Sequence, residues 1–268
     1  AQIALQDAGI SALQIDEIIV ATDTPELTVP DTASLLQDRL NAREVTAYDL
    51  SGSGCAGFVL GLDIALARAQ QAPRTVLLVG VEILTRLMDW HDRNTCVLFG
   101  DAAGAAIVGQ RESVVEIVAT TAGTDGSKAS ILTLEAGGTR VPFSSEVLAA
   151  GLHRKIEMNG REVFRQAVSR MSAAANTVLE KAGVRLEEVD LVIPHQANQR
   201  IISAVSKTLG IAPEKVFTNV RNYGNTGSAS VPLALWDARN QGLIQQGDLV
   251  LLTAFGAGFH WSAALLQF

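Results

Sequence analysis

A cysteine and an asparagine occupy equivalent places in two similar glycine-rich segments of this chain. The sequence around Cys55 reads Gly-Cys-Ala-Gly and that around Asn225 reads Gly-Asn-Thr-Gly, 170 residues later. A second pair of similar segments, around Gly9 and Gly183, repeats at an offset of 174 residues. Two such offsets predict a duplicated half-domain, which brings equivalent loops together around a pseudo-two-fold axis. We therefore expect Cys55 and Asn225 to face one shared site.

A histidine follows the second copy of the repeated apolar strand. His195 lies in Val192-Ile-Pro-His-Gln-Ala-Asn198, directly after that strand. Functional groups of α/β proteins collect where strands end and helices begin. A cysteine, a histidine and an asparagine at one such place predict thiol chemistry on an acyl group.

The residues around Cys55 favour a nucleophile over an ordinary core cysteine. A lone cysteine is more often a small buried core residue. Here the cysteine stands between a predicted strand and a predicted helix, with glycines on both sides. The positive end of the helix dipole is expected to lower the pKa of such a thiol. Cys96, in Asn94-Thr-Cys-Val-Leu98, is instead expected to lie in an apolar core strand.

Composition and charge exclude several classes of protein. The chain has 268 residues, 48% of them hydrophobic and 18% charged, enough for one large domain or two fused halves. A net charge of −7 argues against general nucleic-acid binding. The apolar runs are too short to span a membrane. The 2 cysteines form no disulfide framework, and a free reactive thiol fits a reducing cytoplasm.

Short β-branched runs alternate with amphipathic stretches, which predicts parallel sheets covered by helices. The predicted strands lie at residues 17–21, 45–50, 75–80, 114–121, 191–193, 216–220 and 248–254. The predicted helices lie at residues 32–40, 56–70, 160–181, 199–209 and 228–241. Glycine-punctuated apolar segments at residues 99–108 and 255–266 are expected to close each half as hairpin-like strands.

The repeat predicts an N-terminal half at residues 1–111 and a C-terminal half at residues 112–268. No Pro-rich or Ser-rich linker separates them, so we expect one fused body. In the second half, a strand near Val114 precedes the long helix at residues 160–181. The matching first-half strand would fall about sixty residues before Ala1. We therefore expect a chain truncated at its N-terminus, whose first half largely lacks its first strand and helix.

Several motifs resemble those of the thiolase superfamily, and most closely those of β-ketoacyl-acyl carrier protein synthase III. The resemblance covers the whole chain and implies a duplicated, layered α-β-α-β-α fold of class α/β with two mixed sheets. The motifs that carry it are Cys55-Ala-Gly-Phe58, Asp92-Arg93, Phe99-Gly-Asp101, Met158-Asn-Gly-Arg-Glu-Val-Phe164, Pro194-His-Gln-Ala-Asn198, Gly224-Asn-Thr226, Ser230-Val-Pro-Leu-Ala234 and Phe255-Gly-Ala-Gly-Phe-His-Trp261.

The resemblance implies a catalytic triad of Cys55, His195 and Asn225. A short acyl-CoA would acylate Cys55, and malonyl-acyl carrier protein would then lose carbon dioxide and condense with the acyl group. His195 and Asn225 would donate hydrogen bonds to the malonyl thioester oxygen and stabilise the enolate. The product would be a 3-oxoacyl-acyl carrier protein, which initiates fatty acid synthesis.

The resemblance also implies binding residues and partners. The substrate-binding residues would be Arg93, Gly160, Phe164, Ala197, Asn198, Gly256, Ala257 and Gly258. The acidic carrier protein would dock on two basic pairs that each share a helix face, Arg161 with Arg165 and Arg200 with Lys207. Without the resemblance, an ordinary solvated helix surface explains these pairs equally well. We expect a cytoplasmic homodimer that uses no metal and no cofactor, since acyl-CoA is a substrate.

Two other functions are consistent with these motifs, and a third is disfavoured. A related acyltransferase, or a condensing enzyme of polyketide or quinolone type, would use the same three residues. A non-catalytic fragment that binds acyl-CoA or a carrier protein would suit a truncated chain. A cysteine hydrolase with an α/β-hydrolase fold is disfavoured, because Ser53 stands where the nucleophile elbow needs a glycine.

Overall fold

The computed structural model describes residues 1–109 and 115–268. The α-helices of this part are α1 Gln2–Asp7, α2 Thr32–Arg39, α3 Gly57–Gln71, α4 Ser145–Ala149, α5 Gly160–Ala182, α6 Gln199–Leu209, α7 Val220–Tyr223 and α8 Ser230–Asn240. The strands are β1 Glu17–Ala21, β2 Thr46–Leu50, β3 Thr75–Ile83, β4 Asp101–Gly109, β5 Glu116–Thr124, β6 Leu132–Leu134, β7 Ile156–Met158, β8 Leu191–Pro194, β9 Leu249–Gly256 and β10 His260–Gln267.

Two four-stranded mixed sheets form the centre of the molecule. The first has the order β2-β1-β3-β4 and the second the order β5-β10-β9-β8. In both, a parallel pair (β1 with β3, β8 with β9) is followed by an antiparallel one (β3 with β4, β9 with β10). Strand β5 pairs with the outer edge of β10, whereas no described strand pairs with the outer edge of β4. The shared order confirms the predicted mixed sheets and shows the repeat in the topology.

Alternate residues of each strand face different apolar layers, because successive side chains point to opposite faces of a sheet. Ile19 of β1 packs with α3 and α8 between the two sheets, whereas its neighbour Ile18 packs with α1 and α2 outside them. In the second sheet, Ile193 faces the central helices and Val192 faces α5 and α6. Strands buried on both faces explain the nearly continuous apolar runs in the sequence. The layering is α-β-α-β-α, as predicted.

The strand predicted at residues 216–220 does not form. Val216 makes one isolated parallel bridge with Val192, and α7 begins at Val220. The reason is the buried side chain of Gln196, whose Oε1 accepts the backbone N–H of Asn219 at 2.9 Å and of Val220 at 3.3 Å. These two donors are therefore not available to a sheet ladder.

The core strand predicted around Cys96 is also wrong. The backbone N–H groups of Thr95 and Cys96 both donate to the carbonyl of Asp92, at 3.2 and 3.0 Å, so the segment is a series of turns. Cys96 is partly exposed, and its Sγ lies 3.9 Å from the carbonyl oxygen of Trp90. The side chain of Asp92 supports these turns through Thr95 Oγ1 at 2.9 Å.

The half boundary predicted near Arg111 and the strand start predicted at Val114 lie outside the described residues. The remainder of the strand predicted at 114–121 is part of β5, which extends to Thr124. None of the helices in the described ranges is long and apolar enough to span a bilayer.

Candidate active site

Cys55 lies in the turn between β2 and α3, pressed against the end of β9. Residues Gly54–Ala56 form one turn of 3-10 helix, and α3 begins at Gly57. Gly54 has a φ of +57°, and a Cβ there would lie 2.6 Å from the backbone nitrogen of Ala257. A Cβ on Gly256 would overlap the backbone nitrogen of Cys55. Backbone packs directly on backbone here, which only glycine permits.

Asn225 lies in the loop between α7 and α8, which is tied to the segment before β4. Its backbone N–H donates to the Leu98 carbonyl at 2.7 Å, and the Gly100 N–H donates to its carbonyl at 2.8 Å. The side-chain Oδ1 accepts the N–H of Gly227 at 2.9 Å. This bond orients the buried amide so that the hydrogens of Nδ2 point away from Gly227.

The structure brings Cys55 and Asn225 together, as the repeat predicts. The Sγ of Cys55 lies 3.8 Å from Oδ1 of Asn225. Cys55 is partly exposed, whereas Asn225 is buried. The first half of the chain therefore supplies a thiol and the second half an amide to the same place.

His195 follows β8, and its ring is held by Ser230. The imidazole is 2% exposed, and its Nδ1 lies 2.5 Å from Oγ of Ser230. Burial lowers the pKa of His195 to about 3, so the ring is neutral at physiological pH. Ser230 directly follows the Gly227–Ala229 turn, which packs on the Gly54–Ala56 turn. His195 thus reaches the surroundings of Cys55 through Ser230.

The electrostatic environment of Cys55 differs from the sequence prediction. Burial raises the pKa of the Cys55 thiol, and the nearby carboxylates of Glu82 and Asp23 raise it further. The predicted lowering of the Cys55 pKa by a helix N-terminus is therefore wrong. Loss of hydration disfavours the thiolate, and Cys55 lies within a 3-10 turn, two residues before α3 begins.

Glu82, near the end of β3, was missed by the sequence reasoning. It is 1% exposed, accepts a hydrogen bond from Thr24 Oγ1 at 2.8 Å, and lies within hydrogen-bond distance of Ser228 Oγ at 3.0 Å. Burial and, after it, the Asp23 carboxylate raise the pKa of Glu82 to about 7. The signal in the sequence was a single carboxylate inside an otherwise apolar strand.

The predicted substrate-binding residues on α5 and α6 lie at the starts of these neighbouring helices. Gly160 is the first residue of α5, and Asn198 caps α6 by accepting the N–H of Ile201 at 3.0 Å. The guanidinium of Arg200 lies 6.0 Å from the centroid of the Phe164 ring. A predicted substrate residue and a predicted carrier-binding residue are therefore adjacent.

The predicted carrier-binding pairs are exposed but not equivalent. Arg161 and Lys207 have exposed side chains that make no ion pair among the described residues. Arg165 is also exposed, but its Nε donates to Glu162 at 2.9 Å, so a carboxylate partly neutralises its charge. The charge available from the first pair is thus mainly that of Arg161.

The other predicted substrate residues lie in loops around the site. Arg93 is exposed between β3 and β4, and Ala197 closes the turn after His195 with an N–H bond to its carbonyl at 3.0 Å. Ala257 and Gly258 form the turn between β9 and β10. Within residues 1–109 and 115–268, no group of three or more His, Cys, Asp or Glu side chains is placed to hold a metal ion.

Two family models match this chain. Residues 48–126 match the model described as 3-oxoacyl-[acyl-carrier-protein (ACP)] synthase III, and residues 179–268 match the model of the C-terminal part of the same family. Cys55 falls in the first match, and His195 and Asn225 fall in the second.

Curated and solved relatives are similar over nearly the whole chain. The β-ketoacyl-[acyl-carrier-protein] synthase III of Caldanaerobacter subterraneus subsp. tengcongensis is 46% identical over 265 residues, which cover 98% of this chain and 80% of the relative. The crystal structure of 3-oxoacyl-[acyl-carrier-protein] synthase III from Aquifex aeolicus VF5 is 44% identical with a TM-score of 0.88, covering 100% of this chain and 82% of that one. The priming β-ketosynthase of the R1128 polyketide pathway is 32% identical with a TM-score of 0.88, covering 100% and 79%.

Proposed function

This chain belongs to the 3-oxoacyl-[acyl-carrier-protein] synthase III family, and from that premise we propose how its residues carry out the decarboxylating condensation that initiates fatty acid synthesis. The reaction joins an acyl group from acyl-CoA to malonyl-acyl carrier protein, with loss of carbon dioxide. The observation that carries the assignment of residues is the 3.8 Å approach of Cys55 Sγ to Asn225 Oδ1, each from an equivalent loop of one half.

Cys55 is the nucleophile of the first step. Its sulfur attacks the thioester carbon of acyl-CoA, a new carbon–sulfur bond forms to Cys55, and the bond to CoA breaks. The proton of the Cys55 thiol balances the departing CoA thiolate, so the enzyme becomes an acyl thioester and CoA leaves as a thiol. Cys55 is partly exposed, so substrate can approach it from solvent.

His195 and Asn225 serve the decarboxylation of the malonyl group. As the carboxylate leaves as carbon dioxide, its electron pair forms an enolate whose oxygen needs hydrogen-bond donors. Nδ1 of His195 lies 2.5 Å from Ser230 Oγ, and we assign the hydroxyl as the donor of this bond, which places the proton of the neutral ring on Nε2. Asn225 has its Oδ1 occupied by the Gly227 N–H and so offers Nδ2 as donor. Both donors are neutral, so neither loses a proton to the enolate.

The condensation step, which forms the new carbon–carbon bond, regenerates the enzyme. The enolate carbon bonds to the acyl carbon on Cys55, the carbon–sulfur bond breaks, and the Cys55 thiolate takes up a proton. Backbone N–H groups of Cys55 and of the Gly256–Gly258 turn stabilise the tetrahedral oxyanion between these events. The direct packing of Gly256 on the Cys55 backbone supports a role for both segments.

The carrier protein docks at the starts of α5 and α6. Arg161 and Arg200 offer exposed positive charge there to an acidic partner, and Lys207 adds an exposed charge in the last turn of α6, although the net charge of the chain is −7. The protein acts as a cytoplasmic homodimer, and its two free cysteines fit a reducing compartment.

A polyketide-priming role is the second candidate function. It is supported by the 32% identity to the R1128 priming β-ketosynthase, whereas the fatty-acid assignment is supported by relatives at 43 to 46% identity. Product analysis after presenting the chain with its own fatty-acid carrier protein and with a polyketide carrier protein separates the two.

The first test is intact-mass spectrometry after incubation with acetyl-CoA. The unmodified chain and Cys96→Ala are expected to gain one acetyl group, and Cys55→Ala is expected to gain none. Cys96 is the matched control, since it is the other free cysteine and is partly exposed like Cys55. An adduct that persists in Cys55→Ala, or disappears in Cys96→Ala, contradicts the assignment. Addition of malonyl-acyl carrier protein should then remove the acetyl group and release a 3-oxoacyl product.

A further inference from the structure

A buried carboxylate lies beneath the site and belongs to neither the triad nor the predicted substrate contacts. Glu82 on β3 accepts the backbone N–H of Asp23, at 3.2 Å to each of its carboxylate oxygens, in addition to the hydroxyl of Thr24. These partners come from the segment that follows β1. Glu82 is therefore fixed by the first half of the chain.

Glu82 also contacts the second half, directly beside Asn225. A Cβ on Gly227 would lie 2.6 Å from Cγ of Glu82, so this loop packs on the side chain of Glu82 without a gap. The Oγ of Ser228 lies 3.0 Å from Oε1 of Glu82 and 2.7 Å from the carbonyl of Ala21. Because Gly227 also holds the amide of Asn225, Glu82 is two contacts away from that amide.

The same group reaches the Cys55 loop through Asp23. Oδ1 of Asp23 accepts the backbone N–H of Gly52 at 2.8 Å, three residues before Cys55. A continuous path therefore runs from Cys55 through Asp23, Glu82 and Gly227 to Asn225. It links the loops of the two halves through the buried side chain of Glu82.

We propose that Glu82 is a positioning residue that holds the Asn225 loop against the Cys55 loop, and that its negative charge opposes a second negative charge on the Cys55 sulfur. The effect on condensation rests on the proposed function, whereas the effect on the thiol does not.

The groups that face Glu82 make its charge sensitive to pH near neutrality. Asp23 faces it from the segment after β1, and Cys55 faces both carboxylates from the turn before α3. His260 of β10 interacts with Asp23. The Gly227–Ala229 turn contributes the uncharged Gly227 and Ser228. Below pH 7 Glu82 is largely protonated, and as pH rises above 7 it gains a charge that disfavours the Cys55 thiolate.

Ser228 gives an independent reason to place a proton on Glu82. A hydroxyl has one hydrogen, yet Ser228 Oγ lies near two oxygens, the Ala21 carbonyl and Oε1 of Glu82. When Ser228 donates to the carbonyl at the shorter distance, protonated Glu82 supplies the hydrogen of the other bond. When Glu82 ionises, the single hydrogen must serve both oxygens.

The experiment is the pH dependence of Cys55 alkylation by iodoacetamide in Cys96→Ala, in which Cys55 is the sole thiol. In the same background, Glu82→Gln removes the charge and Glu214→Gln removes an exposed carboxylate as the matched control. At pH 8 we expect alkylation of the Glu82→Gln protein to be about tenfold faster than that of its parent, with the pH–rate curve moved to lower pH. The Glu214→Gln curve should match that of the parent.

Two further variants separate the effect of the Glu82 charge on Cys55 from the effect of the contacts that hold the Asn225 loop. Ser228→Ala keeps the carboxyl group of Glu82, removes a hydrogen bond that lowers its pKa, and loosens the loop. At pH 9, where Glu82 is charged in both proteins, the alkylation rate of this variant should match that of the parent, while its condensation rate falls. Asp23→Asn removes the neighbouring charge and should move the curve in the direction of Glu82→Gln, which keeps the test decisive if Glu82→Gln does not fold. The proposal is overturned if Glu82→Gln and Asp23→Asn, where folded, give the same pH–rate curve of Cys55 alkylation as the parent. Failure of acetylation by acetyl-CoA alongside a shifted alkylation curve would instead count against the proposed function alone.

Discussion

Neighbouring residues fix the orientation of each polar side chain of the triad. The Gly227 N–H sets the amide of Asn225, and the hydroxyl of Ser230 sets the ring of His195. Both side chains are buried, where a missing partner costs more than it would in water. The proposed chemistry of the triad therefore depends on residues outside the triad.

The role of Ser230 can be tested by its removal. Ser230→Ala leaves Nδ1 of His195 without its donor, so the proton is no longer held on Nε2. Loss of one buried hydrogen bond costs about 1 kcal/mol, and we expect malonyl decarboxylation to slow about fivefold. Acetylation of Cys55 should be retained, since it does not use the His195 donor.

Rates of acetylation and of decarboxylation, measured separately on the same preparation, check this expectation. Ser203→Ala is the control, because Ser203 is an exposed serine on α6. Equal losses in both rates would show a general structural defect instead of a role in positioning His195.

Helices and strands with a regular period of apolar residues were predictable from the sequence. Segments whose backbone N–H groups are hydrogen-bonded to a distant side chain were not. The bounds of β1 and α6 agree with the predicted residues 17–21 and 199–209. At residues 216–220 the β-branched pattern predicts a strand, but Gln196 takes two of the backbone donors. A contact between residues that far apart along the chain leaves no mark in local periodicity.

In the candidate site, too, some features were predictable from the sequence and others were not. Repetition in the sequence placed Cys55 with Asn225, because duplication implies equivalent loops. The raised pKa of Cys55 was not predictable, since it comes from burial and from the carboxylates of Glu82 and Asp23. These two residues come from different strand ends, and only the fold brings them beneath the thiol.

The junction of the Cys55 turn with the end of β9 gives a prediction at the scale of elements. Gly256→Ala would place a methyl group on the backbone nitrogen of Cys55 and force the two segments apart. We expect a loss of about 1–3 kcal/mol in the free energy of unfolding and a marked loss of acetylation.

Denaturant unfolding and acetylation by intact mass check this prediction. Gly126→Ala is the control, since a Cβ there meets nothing within 4 Å. A Gly256→Ala protein with unchanged stability and acetylation would show that the close approach is not required.

The two halves form one body around a shared pair of central helices. Helix α3 begins two residues after Cys55, and α8 begins five residues after Asn225, so both helices run from the site into the layer between the sheets. The positive residues at the starts of α5 and α6 lie outside this layer. Substrate chemistry and carrier docking are therefore assigned to different parts of the molecule.

Carrier docking can be tested by reversing one charge without weakening a helix. Arg161→Glu puts a carboxylate in the first turn of α5, where the helix dipole favours it. We expect the KM for malonyl-acyl carrier protein to rise about tenfold at low salt, since docking depends on electrostatic complementarity. The rise should shrink at high salt, and acetylation by acetyl-CoA should not change.

Steady-state kinetics at two ionic strengths check this prediction. Arg185→Glu is the matched control, because Arg185 is exposed beyond the opposite end of α5. An equal rise in KM for both variants would mean that overall charge, and not the start of α5, governs docking.

The pairing of Cys55 with Asn225 has a consequence for oxidative damage. In a perfectly symmetric duplicate, residue 225 would also be a cysteine, and two thiols would face each other where the Cys55 sulfur now faces an amide. Thiols that close readily form a disulfide, which would consume the nucleophile. Asparagine cannot be oxidised in this way. The asymmetry between the two copies thus protects the thiol of the proposed nucleophile.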